Sequence, residues 1–444
     1  MTDLPLMTRS LNEPVALHLG QPVSAAQFIG QAQTLAGAMP GDGAIVNLCQ
    51  DRYAFGLALA AALLAGRTTL LPANRLPATI DDLLRDHPDS MVISDHFIEG
   101  LGHRQLDISA MPDCRDPADQ VPRIPADLLA VIVFTSGSTG PASRVLKPWR
   151  TLHDSGLINA AEYGPGPELT HLVATVPPQH MWGLETTVLM PWFAPVVIVS
   201  GQPFFAADIL ALISELPRPR ALVSTPVHLR NLVECPQPLV PIDRIYSATA
   251  PLSQSLARQL ESDCPGRLTE VYGCSEAGCL ARREPVREQA WRLFQAFTLV
   301  RIGPRFRVEA AHLPEAVTLL DRLELHGDGR FQLIGRDSDL VNVAGKRASL
   351  SDLTQTLLDI DGVLDGIIFQ PPESDDGRVA RLAALVVAPG LKASELRRAL
   401  ARRIDPAFMP RPLRLVESLP RAESGKLPRQ SLVSLYEQVC ETAG

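Results

Sequence analysis

The 444-residue sequence lacks several patterns that would by themselves point to a class of function. Its seven cysteines are odd in number and form no C-x-x-C pair, which argues against a zinc site or a disulfide framework and favours a reducing cytoplasm. No block of five or more basic residues occurs, and 49 acidic residues exceed 41 basic ones, so nucleic-acid binding is disfavoured. The N-terminus has no signal-peptide pattern. The longest apolar stretches, Leu57–Ala65 and Leu128–Phe134, are shorter than the ~18–20 residues that span a bilayer, so we expect a soluble protein without a membrane span.

The sequence is rich in apolar residues and in proline. Hydrophobic residues make up 46% of the chain, enough for packed cores, and 39 prolines against 30 glycines indicate many rigid turns. At ~100–200 residues per domain, the length predicts two or three domains.

Short apolar runs alternate with helical patterns, which is typical of an α/β sheet. After Gly335 the pattern changes to that of a small α+β unit, which includes a helix over Ser394–Ile404. We therefore predict an α/β protein with a large N-terminal domain of layered sheets and helices, residues 1–335, and a small α+β C-terminal domain, residues 336–444. The predicted buried strands are Leu129–Phe134, Leu172–Val176, Val196–Val199, Ala221–Ser224 and Arg244–Tyr246.

The strongest motif is a Ser/Thr/Gly loop that follows the strand ending at Phe134. Glycine lets backbone N–H groups approach a phosphate closely, and hydroxyl groups add further donors. The loop is not a Walker A motif, since the G-x-x-x-x-G-K-[ST] string is absent from the chain. Its residues are Thr135, Ser136, Gly137, Ser138, Thr139 and Gly140, followed by Pro141.

Two further loops are weak signals when each is taken alone. Val271–Glu276 offers a ring that can stack on a purine, a hydroxyl, and a carboxylate that can hold Mg²⁺. The stretch Leu419–Arg429 places Lys426 beside a glycine, where a lysine can be delivered to an anion as a point charge. Taken alone, the first string is commonly an ordinary Tyr-Gly turn with a solvated Glu, and a solvated basic tail is the favoured explanation of the second.

In this order, however, the three strings and a Gly335-Arg336 pair resemble the adenylate-forming superfamily. That family comprises acyl- and aryl-CoA ligases, luciferases and the adenylation domains that load carrier proteins. The resemblance implies that Thr135–Gly140 hold the β- and γ-phosphates of ATP, that Tyr272 with Gly273 faces adenine, that Ser275 reaches the α-phosphate and that Glu276 binds Mg²⁺. It places Ser247, Ala248, Thr249, Ala250 and Pro251 along adenine and the acyl pocket.

The resemblance assigns four residues nearer the C-terminus. Asp321 lies 15 positions before Arg336, where the family keeps the Asp that binds the ribose hydroxyls, and Arg336 matches an Arg that reaches ribose or phosphate. Gly345 matches a glycine that lines the thiol tunnel. Lys426 matches the catalytic lysine of adenylation, carried on a mobile C-terminal domain.

The sequence also departs from the family pattern. The usual loop lysine is missing, and either Arg144 or Lys147 could replace it. The usual hinge residue falls on Ser338, between Asp337 and Asp339, so we expect the pivot to be displaced along the chain.

The resemblance implies two steps, which are attack of a carboxylate on ATP and then displacement of AMP by a thiol. In the acyl-pocket region His180, Met181 and Trp182 suit an aromatic ring, although a packed core histidine is an equal explanation of His180. The chain resembles short stand-alone ligases of aryl-polyene and xanthomonadin-type pigment pathways, which implies a hydroxybenzoate-like acid and an acyl carrier protein as partner. An acidic carrier would dock where positive charge is concentrated, at Arg336, Lys426 and the Arg397–Arg403 helix.

Other functions stay open at this point. A medium-chain fatty acid competes as substrate, and coenzyme A competes as acceptor. A non-catalytic nucleotide-binding regulator and a phosphotransferase are alternatives from other classes.

Overall fold

The computed structural model describes residues 2–101, 104–110, 116–135, 143–336, 339–343, 346–372, 381–422 and 425–441. Within these ranges no helix combines the length and apolar character needed to cross a membrane. The helices are α1 Ala25–Ala38, α2 Arg52–Leu64, α3 Pro77–Asp86, α4 Trp149–Tyr163, α5 Met181–Gly183, α6 Met190–Phe193, α7 Ala206–Ser214, α8 Pro226–Val233, α9 Gln254–Asp263, α10 Leu350–Leu358, α11 Ala393–Ala401 and α12 Arg429–Glu441, with a π-helical turn at Leu184–Leu189 between α5 and α6.

The strands form six sheets. Those up to residue 148 are β1 Asp3–Pro5, β2 Pro14–His18, β3 Gln21–Ser24, β4 Ile45–Asn47, β5 Thr69–Leu71, β6 Met91–Ser94, β7 Gln105–Asp107, β8 Arg123–Pro125, β9 Leu129–Thr135 and β10 Ser143–Pro148. Those that follow are β11 Thr170–Ala174, β12 Val196–Val199, β13 Arg220–Ser224, β14 Arg244–Ser247, β15 Arg267–Cys274, β16 Gly278–Arg283, β17 Trp291–Leu293, β18 Thr298–Ile302, β19 Arg305–Glu309, β20 Val317–Thr318, β21 Asp321–Leu325, β22 Arg330–Arg336, β23 Leu340–Val343, β24 Lys346–Ser349, β25 Asp365–Phe369, β26 Ala383–Val387 and β27 Leu413–Leu415.

The largest sheet has eleven strands in the order β21-β22-β17-β16-β15-β14-β13-β11-β12-β2-β3. Its centre, from β15 to β2, is parallel. Parallel strands are covered on both faces, and their side chains alternate between the two. Leu222 therefore packs with α7, α8 and α9, whereas Val223 packs in the core on the opposite face with Tyr163 of α4. The predicted α/β architecture with layered sheets is confirmed.

A second sheet carries the predicted phosphate loop. Its order is β10-β9-β5-β4-β6-β7, and β9 pairs antiparallel with β10, with Thr135 opposite Ser143. The predicted strand Leu129–Phe134 lies within β9. The strand predicted over Leu172–Val176 is displaced by two residues at each end, because β11 runs from Thr170 to Ala174. Beyond its end, the Thr175 N–H still donates to Val223 O (3.0 Å).

The residues after β22 pack around cores of their own. β25, β26 and β27 form a three-stranded sheet, and Leu396 and Leu400 of α11 are buried against it. The helix predicted over Ser394–Ile404 is shorter than expected. It starts at Ala393, because the Glu395 carboxylate accepts the Lys392 N–H (2.8 Å), and it ends at Ala401.

Candidate active site

The carboxyl ends of four neighbouring parallel strands meet at one edge of the large sheet. In β13, β14 and β15, Ser224 lies opposite Ser247, and Ser247 lies opposite Glu270. β11 lies on the other side of β13. In open α/β sheets this edge is where ligands bind. It brings together four segments that are distant in sequence, namely 175–183, Thr225, Ser247–Pro251 and Tyr272–Glu276.

Tyr272 and Asp321 contact each other directly. The Tyr272 hydroxyl donates to Asp321 Oδ2 at 2.7 Å, and both side chains are partly exposed. The Tyr272 ring is supported by Trp291 and Phe331, with centroid distances of 5.6 and 6.1 Å. Asp321 lies opposite Arg336 in the register of β21 and β22, which explains their spacing in the sequence. The two residues expected to face adenine and ribose are therefore side by side.

The loop after β15 presents one exposed carboxylate. Glu276 is exposed, Ser275 is partly buried, and the backbone oxygen of Glu276 accepts a hydrogen bond from Lys147 Nζ at 2.7 Å. In the described part of the chain, no group of three or more His, Cys, Asp or Glu side chains is arranged to hold a metal. Mg²⁺ is commonly bound by one or two carboxylates together with substrate phosphates. Glu276 therefore fits a Mg²⁺ ion that arrives with a nucleotide.

The Ser247–Pro251 segment contains a strained residue. Thr249 has φ of +79°, a left-handed conformation that is unusual for a β-branched side chain. Ser247 is fully buried, Ala248 is buried and Ala250 is partly buried. The Oγ atoms of Ser247 and Thr249 are buried and have no hydrogen-bond partner among the described residues. Strain and unpaired polar atoms at a sheet edge are typical of a ligand site.

Aromatic rings pack together behind this segment. Tyr163 lies at the centre, with ring centroids 6.4 Å from Trp182, 5.6 Å from Tyr246 and 5.9 Å from Phe294. Trp182 and Met181 are both 8% exposed. Trp182 Nε1 and the Tyr246 hydroxyl are buried without a hydrogen-bond partner in the described chain. Sequence reasoning identified Trp182 but missed Tyr163 and Tyr246, since no motif marks them.

His180 lies between this aromatic cluster and the C-terminal part of the chain. Burial lowers the pKa of His180 to about 4, and the positive charges of Lys426 and Arg75 add to that shift. His180 is therefore neutral at pH 7. Arg75, which the sequence did not single out, donates to Cys49 O (2.7 Å) and to Gln179 Oε1 (3.1 Å).

Lys426 reaches the sheet edge on a loop with a defined shape. Gly425 has φ of +78°, and a Cβ there would lie 3.1 Å from Thr225 Oγ1, so the glycine permits close contact with the large sheet. Arg421 donates to Gly425 O (2.8 Å) and forms two 2.7 Å bonds with the Asp365 carboxylate. The Lys426 side chain is exposed.

The two basic candidates on β10 differ in their surroundings. Arg144 is exposed, lies over the Phe134 ring (5.6 Å) and is 3.4 Å from Asp86. Lys147 is 1% exposed and bonds to Glu276 O. Thr135 ends β9, whereas Ser136, Gly137, Ser138, Thr139, Gly140 and Gly345 lie outside the described residues, as do Asp337 and Ser338.

The arrangement suits the joining of two anions. One face of the edge offers a ring and a carboxylate that suit a nucleoside, Glu276 offers a carboxylate that suits a metal, and Lys426 supplies a positive charge. Such a site acts by alignment and by charge neutralisation rather than through a general base.

Comparison with known proteins agrees with this geometry. The family model described as "AMP-binding enzyme" matches residues 43–304, more than half of the chain. The chain is 25% identical to the fatty acid–[acyl-carrier-protein] ligase MmaC of Mycobacterium marinum, covering 87% of this chain and 86% of that one. It is 20% identical to the 3,4-dihydroxybenzoate–[aryl-carrier protein] ligase of Bacillus anthracis, covering 68% and 73%. The fold is similar to that of the anthranilate CoA ligase AuaEII with anthranoyl-AMP, with a TM-score of 0.81, 15% identity and coverage of 99% and 96%.

Proposed function

The chain belongs to the AMP-binding enzyme family, and from that premise we propose that it activates a hydroxybenzoate-like aryl acid and passes it to the phosphopantetheine thiol of an acyl carrier protein. It is an AMP-forming ligase that uses ATP with Mg²⁺ to convert an acyl or aryl acid to its adenylate, with a carrier protein or coenzyme A as acceptor. The identity of the acid, the choice of acceptor and the roles of the residues belong to our proposal. We also propose a cytoplasmic location, where ATP is available.

One observation carries the residue roles. The loop of Lys426 rests on Thr225 at the same sheet edge as the bonded pair of Tyr272 and Asp321. A nucleotide held by that pair would have its phosphates directed along the edge toward Ser275, Glu276 and the lysine. This supports Tyr272 with Gly273, and Ala248–Ala250, as the adenine site, and Asp321 with Arg336 as the ribose site.

In the first step a carboxylate oxygen of the acid attacks the α-phosphorus of ATP, and pyrophosphate leaves with its bridging oxygen. Thr135–Gly140 hold the outgoing phosphates, and Ser275 reaches the α-phosphate. Glu276 holds Mg²⁺, which supplies positive charge at the triphosphate. The Lys426 ammonium stabilises the negative charge that develops as the acid and the α-phosphate approach. The bond between Tyr272 and Asp321 fixes both side chains before ATP binds, so less entropy is lost on binding.

In the second step a thiol sulfur attacks the acyl carbon, the bond to the phosphate oxygen breaks, AMP leaves and the thiol proton is released. Lys426 occupies the edge where this thiol must arrive. We therefore propose that residues 336–444 move as a small domain about a hinge near Arg336–Asp339, and that Gly345 lines the thiol tunnel after the movement.

The aromatic cluster supports a hydroxylated aryl acid. Trp182 Nε1 and the Tyr246 hydroxyl lack partners in the described chain, and a buried polar atom left unpaired costs about 1–3 kcal/mol. A ring hydroxyl on the substrate could satisfy one or both atoms, whereas an alkyl chain could satisfy neither. His180 and Ser247, beside this cluster, complete the proposed acyl pocket together with Met181.

A basic surface on the C-terminal part of the chain supports a carrier protein as the thiol acceptor. Arg397, Arg398, Arg402 and Arg403 are exposed on and just after α11, and such a basic surface suits an acidic carrier protein. Coenzyme A, which carries the same phosphopantetheine thiol, is the alternative acceptor. A fatty acid is the second candidate substrate, because the mycobacterial relative is a fatty acid ligase.

Acid-dependent exchange of pyrophosphate into ATP tests the proposal. We expect 3- or 4-hydroxybenzoate to support exchange at least about tenfold better than benzoate or octanoate, since discrimination through a hydrogen-bonded hydroxyl is strong. Preference for octanoate would reject the aryl assignment while preserving the ligase. Release of ADP would indicate a phosphotransferase, and nucleotide binding without exchange for any acid would indicate a regulator. Thioester formation on a carrier protein and on coenzyme A then separates the two acceptors.

A further inference from the structure

Lys147 is a buried charged residue that the reaction described above does not use. It is 1% exposed on β10, and Nζ donates to the backbone oxygen of Glu276 at 2.7 Å. Burying an ammonium group is costly unless it is paired and hydrogen-bonded. The chain has four lysines among its 41 basic residues, so a lysine at this position stands out. A lysine delivers a compact charge to a single acceptor, whereas an arginine would bring five donors that all need partners.

Glu185 is the buried acidic counterpart of Lys147. It is 1% exposed, and its Oε2 accepts the backbone N–H of Cys279 at 2.7 Å. Burial raises the pKa of Glu185, and the positive charge of Lys147 offsets part of that rise. Gly278 has φ of +80°, and a Cβ there would lie 2.2 Å from Glu185 Oε1, so the glycine leaves room for the carboxylate.

These two side chains hold both sides of one short loop. Between the end of β15 at Cys274 and the start of β16 at Gly278 lie only Ser275, Glu276 and Ala277. Lys147 Nζ bonds to the carbonyl of Glu276 in the middle of this stretch, and Glu185 Oε2 accepts the N–H of Cys279, the second residue of β16. With both points held, the loop has little freedom to move relative to the sheet.

We propose that Lys147 and Glu185 are positioning residues. By holding the loop against the large sheet, they set the position and direction of the Glu276 carboxylate for Mg·ATP. The proposal rests on the proposed role of Glu276 as the Mg²⁺ ligand. Lys147 thus acts from beneath the loop, on its backbone, rather than on a phosphate in place of the missing loop lysine. Groups that orient a metal ligand typically contribute about 10–100-fold to metal affinity.

The test measures ATP binding by calorimetry over a range of Mg²⁺ concentrations, with Lys147→Met as the variant. We expect the Mg²⁺ concentration for half-maximal ATP binding to rise about tenfold, and pyrophosphate exchange to show the same shift. Thioester formation from a supplied aryl adenylate needs no Mg·ATP and should change less than about twofold. Lys392→Met, at an exposed lysine before α11, is the matched control and should leave all three measurements unchanged.

A second variant keeps the positioning role testable if the first one does not fold. If Lys147→Met unfolds because Glu185 is left uncompensated, the double variant with Glu185→Gln removes both charges and should show the same Mg²⁺ shift. An unchanged Mg²⁺ dependence, or an equal loss in both half-reactions, would overturn the positioning role. Failure of the proposed function is distinguishable, since the unaltered protein would then show no acid-dependent exchange, and Mg²⁺-dependent ATP binding would still report on Lys147.

Discussion

Glu276 and Lys426 lie at the same edge of the large sheet, but their loops are held by different kinds of contact. The Glu276 loop follows β15 directly and is held by the buried side chains of Lys147 and Glu185. In the Lys426 loop, Ala422 and Lys426 are exposed, and the loop meets the sheet where the buried Gly425 lies on Thr225. Buried charged contacts are expensive to break once formed, whereas exposed contacts are cheap. The contacts thus favour a fixed Glu276 loop, and we propose that the Lys426 loop is the one that leaves the edge.

The Lys426 loop also keeps its shape independently of the large sheet. The Arg421 side chain ties Gly425 to Asp365, and all three residues belong to the part of the chain after Arg336. Because these contacts would travel with the loop, its departure would not unfold it. A single site can then perform two reactions, with the metal side fixed and the lysine side exchanged for a thiol.

The largest expected effect comes from removing the mobile charge. Lys426→Ala should lower pyrophosphate exchange by about 10²–10³-fold, since loss of one group that stabilises developing charge costs roughly that much. Thioester formation from a supplied aryl adenylate should change little, because in the proposed second step Lys426 is away from the edge. Lys392→Ala is the control. Exchange that survives in Lys426→Ala would contradict the role of the lysine.

The pH dependence of stability reports on His180, which is buried near the Lys426 loop. Its pKa is about 4 in the folded chain and ~6.5 when unfolded, so the unfolded state binds more protons between these values and stability falls as pH decreases through that window. Relative to His180→Gln, the unaltered protein should lose about 2 kcal/mol more unfolding free energy between pH 7 and pH 5, measured by urea unfolding. Above about pH 7.5, where His180 is neutral in both the folded and the unfolded state, the two proteins should show the same slope.

The same histidine reports on the position of Lys426. Since burial is the main cause of the pKa shift and the ammonium is a secondary one, Lys426→Ala should raise the His180 pKa only partly toward 6.5. An NMR titration of His180 measures this change. A pKa that does not move in the variant would place Lys426 away from the sheet edge in solution.

An intermediate effect is expected at Arg230, which links α8 to the part of the chain after Arg336. It is 8% exposed at the end of α8, and Nη1 donates to the carbonyls of Val363 and Leu364 at 3.1 and 3.0 Å. Arg230→Met keeps the apolar stem and removes both bonds, so the arrangement with Lys426 at the edge should become less populated. We expect adenylation to fall about tenfold, equivalent to 1.4 kcal/mol, with thioester formation unchanged or faster. Arg258→Met, at an exposed arginine on α9, is the control, and equal loss in both half-reactions would indicate general destabilisation instead.

Much of the chain before Arg336, which carries the Glu276 loop, could be predicted from the sequence. Buried apolar strands give continuous hydrophobic runs, and the loops at their ends contain the Gly, Ser and Pro residues that mark turns. The family resemblance locates Asp321 at 15 positions before Arg336, and this spacing has a physical basis, since the two residues are paired across β21 and β22.

The contacts between distant segments could not be predicted. Arg144 and Lys147 lie three residues apart on one strand, so alternation places them on opposite faces, but the sequence does not say which face is buried. Tyr163 and Tyr246 belong to a helix end and a strand that meet only in the fold. The start of α11 at Ala393, one residue earlier than predicted, follows from the cap formed by Glu395, a local contact that apolar periodicity does not reveal.

The smallest effect is expected at Thr249, whose backbone is in the left-handed conformation beside the site. A β-branched residue in the left-handed region costs about 1–2 kcal/mol relative to glycine. Thr249→Gly should therefore raise the free energy of unfolding by about 1 kcal/mol in urea while lowering exchange activity, because the Thr249 hydroxyl is buried, unpaired among the described residues and available to a ligand. Thr249→Ala separates the two causes, since it removes the hydroxyl and keeps most of the strain. A Thr249→Gly variant that is less stable, or equally active, would show that the strained conformation serves packing rather than binding.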